Sequence, residues 1–276
     1  MATFSLSRFL RRNPLARLGV IILLAWIVLS AAAPIVSRFD PKKQNISSRL
    51  SAPSATWIFG SDQLGRDVAT RVLYGGRISL PAGILVVVVA GLIGTTVGSL
   101  SGFLGGWFDE IVMRITEVFL AFPTIILSMT IAAALGPNLI NAVIAMIVVW
   151  WPQYARLVRG QVLSVKNREF VEASYALGTP RLRVLVRTIL PNCIAPVIVM
   201  ATSDLGAAIL VFSGLSFLGL GPDPSIPEWG RMAADGLQFF DQWWMAAFPG
   251  LAICTVALGF NFVGDGIRDA LDPRTR

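Results

Sequence analysis

Six stretches of this chain run 19 to 28 residues with few or no charged side chains: 18–36, 78–104, 111–135, 139–163, 193–220 and 244–263. Each is about as long as a helix needs to be to cross a bilayer. Hydrocarbon holds no water to satisfy backbone N–H and C=O groups, so such runs pair their own backbone groups as helices. The chain is therefore expected to be all-α and polytopic, with about six spans. Its balance agrees: 55% of the residues are hydrophobic and only 14% charged, against roughly a quarter charged in a soluble domain.

What the chain lacks narrows its function. Its two cysteines, Cys193 and Cys254, both sit in apolar runs and offer neither a disulfide framework nor metal-ligand spacing. Histidine is absent, which removes the commonest general base, the usual zinc ligand and the imidazole triads. No Gly-x4-Gly-Lys-Ser/Thr phosphate loop and no Gly-x-Ser-x-Gly elbow occurs. Any ATP hydrolysis that powers this chain therefore belongs to another one. The net charge of +7 is carried by residues beside the apolar runs and reads as topology, not as nucleic-acid binding.

Basic residues gather in cytoplasmic loops. With the N-terminus inside, fifteen of the 23 fall on inner segments, among them Arg8, Arg11, Arg12, Arg17 and the seven from Arg156 to Arg187. Seven of the eight on outer segments crowd into the first outer loop, from Arg38 to Arg77, against the trend. The expected organisation is a cytoplasmic segment 1–17, a first helix 18–36, an external loop 37–77 with an interfacial helix, a five-helix core 78–265 and a cytoplasmic tail 266–276. A cleaved signal peptide is the rival reading of the first run. That run is long for a signal, and Pro34-Ile35-Val36 is a poor cleavage site.

Within the second run, Gly94, Gly98 and Gly102 follow Ala90 at every fourth position, a smooth stripe that lets a neighbouring backbone approach closely. Pro123 interrupts the third run, and Gly136-Pro137-Asn138 forms a tight outer turn. The inner loop 164–187 is basic and polar. Its residues 169–177 are good helix formers, and Gly178 is a natural stop because it takes a left-handed conformation freely. Thr179-Pro180 then reads as the cap and first residue of a second helix running to Pro191. Such a projecting elbow can transmit force to a cytosolic partner, or simply pack on its own protein.

This loop resembles the Glu-Ala-Ala-x3-Gly-x9-Ile-x-Leu-Pro motif of binding-protein-dependent ABC importer permeases. Glu172, Ala173, Gly178, Leu190 and Pro191 match, while Ser174 replaces an alanine and Thr188 the isoleucine. Three further blocks resemble the C-type permease subunit of dipeptide, oligopeptide and nickel importers. They begin at Phe59-Gly60-Ser61-Asp62, at Leu215-Ser216-Phe217-Leu218 with Pro227-Glu228-Trp229-Gly230, and at Phe248-Pro249-Gly250 with Gly264-Asp265-Gly266. The resemblance implies a type I importer fold in a bacterial inner membrane, with both termini cytoplasmic. It implies a second homologous permease, two ABC ATPase subunits that bind ATP and magnesium, and an extracytoplasmic binding protein that delivers substrate. No cofactor, metal or nucleic acid is implied for this chain. Coupling to the ATPase falls to Glu169, Phe170, Glu172, Ala173, Ser174 and Gly178. Dipeptides or oligopeptides are the expected cargo, with nickel chelates, glutathione and oligosaccharides as alternatives.

The remaining candidates rest on position. Asp62, Arg66, Asp67 and Trp229 lie in the outer blocks and are expected to contact the binding protein. Residues 65–77 suit a helix on the membrane surface, with or without a partner. Pro222, Pro224 and Pro227 make the second outer loop stiff rather than helical. Trp229, Trp243 and Trp244 are expected as outer-interface anchors. Acids within spans are functional candidates: Asp204 is a candidate pathway residue, whereas Glu117 has Arg114 a turn away as a partner. A self-sufficient secondary transporter would carry more intramembrane ionisable groups, and an intramembrane enzyme would need a nucleophile and base that this chain does not present.

Overall fold

A computed structural model describes residues 13–271. The arginines at 8, 11 and 12, most of the expected N-terminal segment and the end of the tail from Asp272 lie outside those residues. No strand occurs among the described residues beyond an isolated bridge between Ser61 and Asp67. The helices are α1 (Pro14–Ala31), α2 (Ala33–Val36), α3 (Val68–Leu104), α4 (Gly106–Leu120), α5 (Thr124–Leu135), α6 (Leu139–Val165), α7 (Glu169–Ala176), α8 (Arg181–Val184), α9 (Leu190–Phe217), α10 (Trp229–Leu237) and α11 (Trp244–Leu271).

Among the described residues, four helices are long and apolar enough to cross a bilayer alone: α1, α3, the continuous run Arg181–Phe217 and α11. The pair α4 and α5 adds a fifth if counted together, although it bends by 91°. The bend falls at Ala121–Pro123, where proline's missing N–H and its clash with the preceding turn end a helix. Helix α6 has the length, with 27 residues, but Trp150-Trp151-Pro152-Gln153 dilutes its apolar character.

Two boundaries differ from expectation. The surface helix expected at 65–77 is the first part of α3, whose 37 residues run unbroken through Pro81. At about 1.5 Å per residue α3 is some 55 Å long, well beyond the roughly 30 Å of hydrocarbon. Helix α9 continues through Pro191 and Pro196, preceded by a wide π turn at Leu185–Ile189. Proline at 191 would press its ring on the carbonyl of Arg187 in a regular helix, and a widened turn relieves that clash.

The chain divides into two compact units. The first comprises the residues up to Leu85, Met129–Ala145 and those from Thr202 onward. Here α1 lies on α11: Gly19 meets the carbonyl of Gly259, and Trp26 Nε1 donates to Thr255 Oγ1 at 3.0 Å. Trp229 is completely buried, with Trp26 edge-on at 5.1 Å and its Nε1 donating to the Val72 carbonyl at 2.8 Å.

The second unit comprises Val86–Ser128 and Met146–Ala201. Its seam is the expected small-residue stripe. Gly94, Gly98 and Gly102 face Tyr154, Ala155, Arg159 and Val162 of α6, so closely that a Cβ at Gly98 would collide with the backbone of Ala155. At the end of this seam Arg159 Nε and Nη2 both donate to Asp109 at 2.6 Å, and Lys166 Nζ donates to the Gly102 carbonyl at 2.9 Å. A Cβ at Gly91 would instead sit at an ordinary 3.7 Å from Tyr154. Gly98→Ala is therefore expected to cost about 1–3 kcal/mol of overpacking, despite alanine's better helix propensity. Gly91→Ala should be neutral or slightly stabilising. Paired melting curves of the two purified variants in detergent check this contrast, and equal midpoints would remove the stripe's packing role.

Candidate functional site

The elbow forms as the residues require. Helix α7 ends at Ala176 with Leu177 as its cap, and Gly178 follows with φ of +75°. Gly178 N donates to Tyr175 O at 2.9 Å, and Thr179 N reaches back to Ser174 O at 3.2 Å. This pair of reversed bonds is the Schellman closure, which satisfies the last helical carbonyls and turns the chain sharply. Apart from its chain neighbours, no atom of the described residues lies within 4 Å of where a Cβ at Gly178 would be. Glycine is thus needed for its backbone angle, not for space. The second helix starts one residue later than expected, with Pro180 at the cap and Arg181 as its first residue.

Helix α7 is held by one side. Val171 is completely buried, and α7 contacts α8 and the π turn, where Val184, Leu185 and Ile189 are also buried. Everything else on it faces outward: Glu169, Phe170, Glu172, Ala173, Tyr175 and Gly178 are exposed, and Ser174 is half-buried. Phe170 and Tyr175 are each 41% exposed and Leu177 85%. Glu169 and Glu172 fall in the first turn, where the positive end of the helix dipole favours carboxylates. The predicted coupling residues thus share one short, outward-facing element.

The residues expected to touch a binding protein are placed differently. Asp62, Arg66, Asp67 and Trp229 are all buried, so they cannot themselves form the contact surface of this conformation. Asp62 accepts from the backbone N–H of Leu64 and Arg66, each at 2.9 Å, and from Arg66 Nε at 2.6 Å. Arg66 Nη1 donates to the Pro224 carbonyl at 3.2 Å. Arg71, also buried, donates to the carbonyls of Pro41 and Pro224 at 2.9 and 3.3 Å. Asp67 accepts from Thr70 N at 2.7 Å and caps α3. The polar groups of these residues latch the first outer loop to the second. Of the three expected interface anchors, Trp229 and Trp244 are buried, and Trp243 alone, at 59%, is exposed.

Sequence reading missed Glu228 as a structural centre. It is completely buried and caps α10, a helix not expected in this loop. Its Oε1 accepts from Ser79 Oγ at 3.0 Å and Gly230 N at 2.9 Å, and its Oε2 from Arg231 N at 2.8 Å and from Ser216 Oγ. Burial pushes its carboxyl above the ordinary glutamate range, outweighing the four donors that pull it down. The available signal was an acid directly before the amphipathic stretch 229–237. Asp204 is half-buried on α9. Glu117 pairs with Arg114 at 3.2 Å, as expected, with both side chains mostly exposed.

No group of three or more metal-ligating side chains occurs among the described residues. Comparison with known proteins gives the site its context. Residues 94–276 match the model of the binding-protein-dependent transport system inner membrane component, and residues 6–53 that of the N-terminal transmembrane domain of oligopeptide transport permease C. The dipeptide transport system permease protein DppC of Alkalihalophilus pseudofirmus is 45% identical over 97% of this chain and 88% of its own length. The probable D,D-dipeptide transport system permease protein DdpC of Escherichia coli is 44% identical over 96% and 89%. The oligopeptide transport system permease protein OppC of Bacillus subtilis is 42% identical over 96% and 88%. With its elbow motif, its apolar helices and matches that run through nearly its whole length, this chain belongs to the inner membrane permease family of binding-protein-dependent ABC importers.

Proposed function

We propose that this chain is the permease subunit of an ATP-driven importer that takes up dipeptides or oligopeptides. It spans the inner membrane with both termini in the cytoplasm, beside a second homologous permease. A binding protein outside delivers the peptide, and two ATPase chains inside bind ATP and magnesium. The carrying observation is the outward-facing α7, with apolar Phe170, Tyr175 and Leu177 exposed beside Glu169 and Glu172. Exposed apolar groups on a polar loop mark a protein contact.

The local geometry supports a lever. Val171 is buried on α7, which packs on α8 and the π turn, and from Arg181 the helix runs without interruption to Phe217. A displacement of α7 therefore moves one end of a spanning helix. The π turn, where the hydrogen bonding is loosest, is the natural place for that helix to flex.

The test is reconstitution. The permeases and ATPases, purified together from native membranes and placed in liposomes, should take up labelled dipeptide only with ATP and the binding protein present. A lone chain that transports by itself would reject the assignment. Asp204 is proposed to line the pathway, because an ionisable group within a span is expensive unless it serves one. Asp204→Asn should lower the uptake rate several-fold while leaving the complex assembled. Uptake at the wild-type rate would return Asp204 to a packing role.

A further inference from the structure

The elbow has a second attachment, behind it in the chain. Only Lys166, Asn167 and Arg168 separate α6 from α7. That joint is tightly bonded: Arg168 N donates to Val165 O at 3.1 Å, and Glu172 N donates back to Arg168 O at 3.2 Å. A displacement of α7 therefore reaches the last turns of α6 directly.

Those turns grip the corner between α3 and α4 on both arms. On the α3 side, Lys166 Nζ holds the carbonyl of Gly102, in the last turn of that helix, at 2.9 Å. On the α4 side, Arg159 Nε and Nη2 both hold the carboxylate of Asp109, in the first turn of that helix, at 2.6 Å. Ser101 Oγ donates to the same carboxylate. A cation at a helix C-terminus and a carboxylate at a helix N-terminus are ordinary partners of the helix dipole. Their source is less ordinary. Both cations come from the end of α6, about two turns apart on one side of it, and α6 is the helix that leads into the elbow.

The corner itself is built to bend. Gly105 and Gly106 join the two helices with φ of +68° and +60°. Apart from their own turn of chain, no atom of the described residues lies within 4 Å of a Cβ built on either. No packing opposes a change of angle there. At its other end α4 breaks from α5 by 91°. Beside the clasp an open cleft of about 250 Å³, bordered by Glu110, Met113, Arg114 and Glu117, leaves one flank of α4 unpacked. Farther along, Phe119 meets Trp151 of α6 edge-on at 6.0 Å. Helix α4 is thus a short rod with a loose joint at each end, and α6 holds it by an ion pair and by a ring contact.

We propose that Arg159, Lys166 and Asp109 are positioning residues for transport, carrying motion of the elbow back through the end of α6 and swinging α4 about Gly105 and Gly106. The inference rests on the proposed function and gives the elbow a second route beside the forward one through α9. A bidentate guanidinium–carboxylate pair suits the task, because it fixes direction as well as distance. Mere support and transmission make different predictions.

The assembled importer in liposomes, with the binding protein of its own system, is read for labelled dipeptide taken up and for phosphate released. Arg159→Gln and Asp109→Asn should each lower the peptide taken up per ATP hydrolysed about fivefold or more, with hydrolysis losing its response to the binding protein. Arg159→Lys keeps the charge and one bond, and should recover part of that ratio. Lys166→Met keeps the stem and loses only the bond to Gly102 O, so it should lower the ratio about twofold. It reads the same quantity if the Arg159 and Asp109 variants do not assemble. A wild-type ratio in Lys166→Met and in every assembled Arg159 or Asp109 variant overturns the inference. A fall of uptake and hydrolysis in equal proportion also overturns it, as the mark of lost support. Either result leaves the proposed function standing. Peptide uptake by the wild type without ATPase chains would instead reject the proposed function, and this inference with it.

Discussion

Replacing Gly178 with proline should cut ATP-dependent uptake by about tenfold or more, the largest effect expected from any single change in the elbow. Gly178 sits at φ of +75°, and proline's ring fixes φ near −65°. Proline also removes the N–H that bonds Tyr175 O. It further disfavours the helical angles of the residue before it, and Leu177 has φ of −77° and ψ of 5°. Together these cost roughly 3 kcal/mol or more at the corner, which at tenfold per 1.4 kcal/mol shifts the elbow's population about a hundredfold. Gly178→Ala keeps the N–H and meets no neighbour, so only the left-handed angle is penalised, by about 1–2 kcal/mol. A graded series follows, with glycine best, alanine reduced several-fold and proline nearly inactive. Substrate-stimulated ATP hydrolysis and peptide uptake should fall together while the complex still assembles. Wild-type uptake in the proline variant would sever the elbow from coupling.

The elbow was legible in sequence because its determinants are local. A glycine after nine helix formers, with a proline two residues on, specifies a stop and a restart within a dozen residues. The small-residue stripe was legible too, since a four-residue period on a helix places glycines on one face whatever they meet. The outer latch was not. Asp62, Arg66 and Asp67 look like surface residues in a polar loop. They are buried because carbonyls over 150 positions away, at Pro224 and Ser225, come back to meet Arg66 and Arg71. Nothing local announces such a closure. The interface-anchor reading of Trp229 failed for a related reason. Tryptophan near a span end is ordinarily an anchor, but Gly75 opens a slot against which this ring packs. The span count was blurred by the 91° break at Pro123: proline in a run foretells an interruption, but its angle depends on what the two halves pack against.

Glu228→Ala should lower the stability of the outer region by about 3–5 kcal/mol, the largest structural effect expected among the outer residues. Four donors from three directions converge on this carboxylate: Ser79 from α3, Ser216 from α9 and two backbone N–H groups of α10. Alanine removes a helix cap, worth about 1 kcal/mol. It also strands buried donors at about 1–3 kcal/mol each, less what the two hydroxyls recover by turning elsewhere. Glu228→Gln separates shape from charge. Either orientation of the amide points its NH2 at a backbone N–H, Gly230 on one side or Arg231 on the other. Glutamine should therefore cost about 1–2 kcal/mol even though the serines can reorient. The carboxyl adds a pH signature. Burial raises its proton affinity in the folded state, so its contribution is fullest below the ordinary glutamate range and declines as pH rises through the folded-state value. The stability gap between wild type and Glu228→Gln should narrow over that rise. Thermal melts across pH, with proteolytic cleavage after Arg231 as a local probe, read both effects. An alanine variant that melts with the wild type and resists cleavage equally would show that Glu228 does not hold this region together.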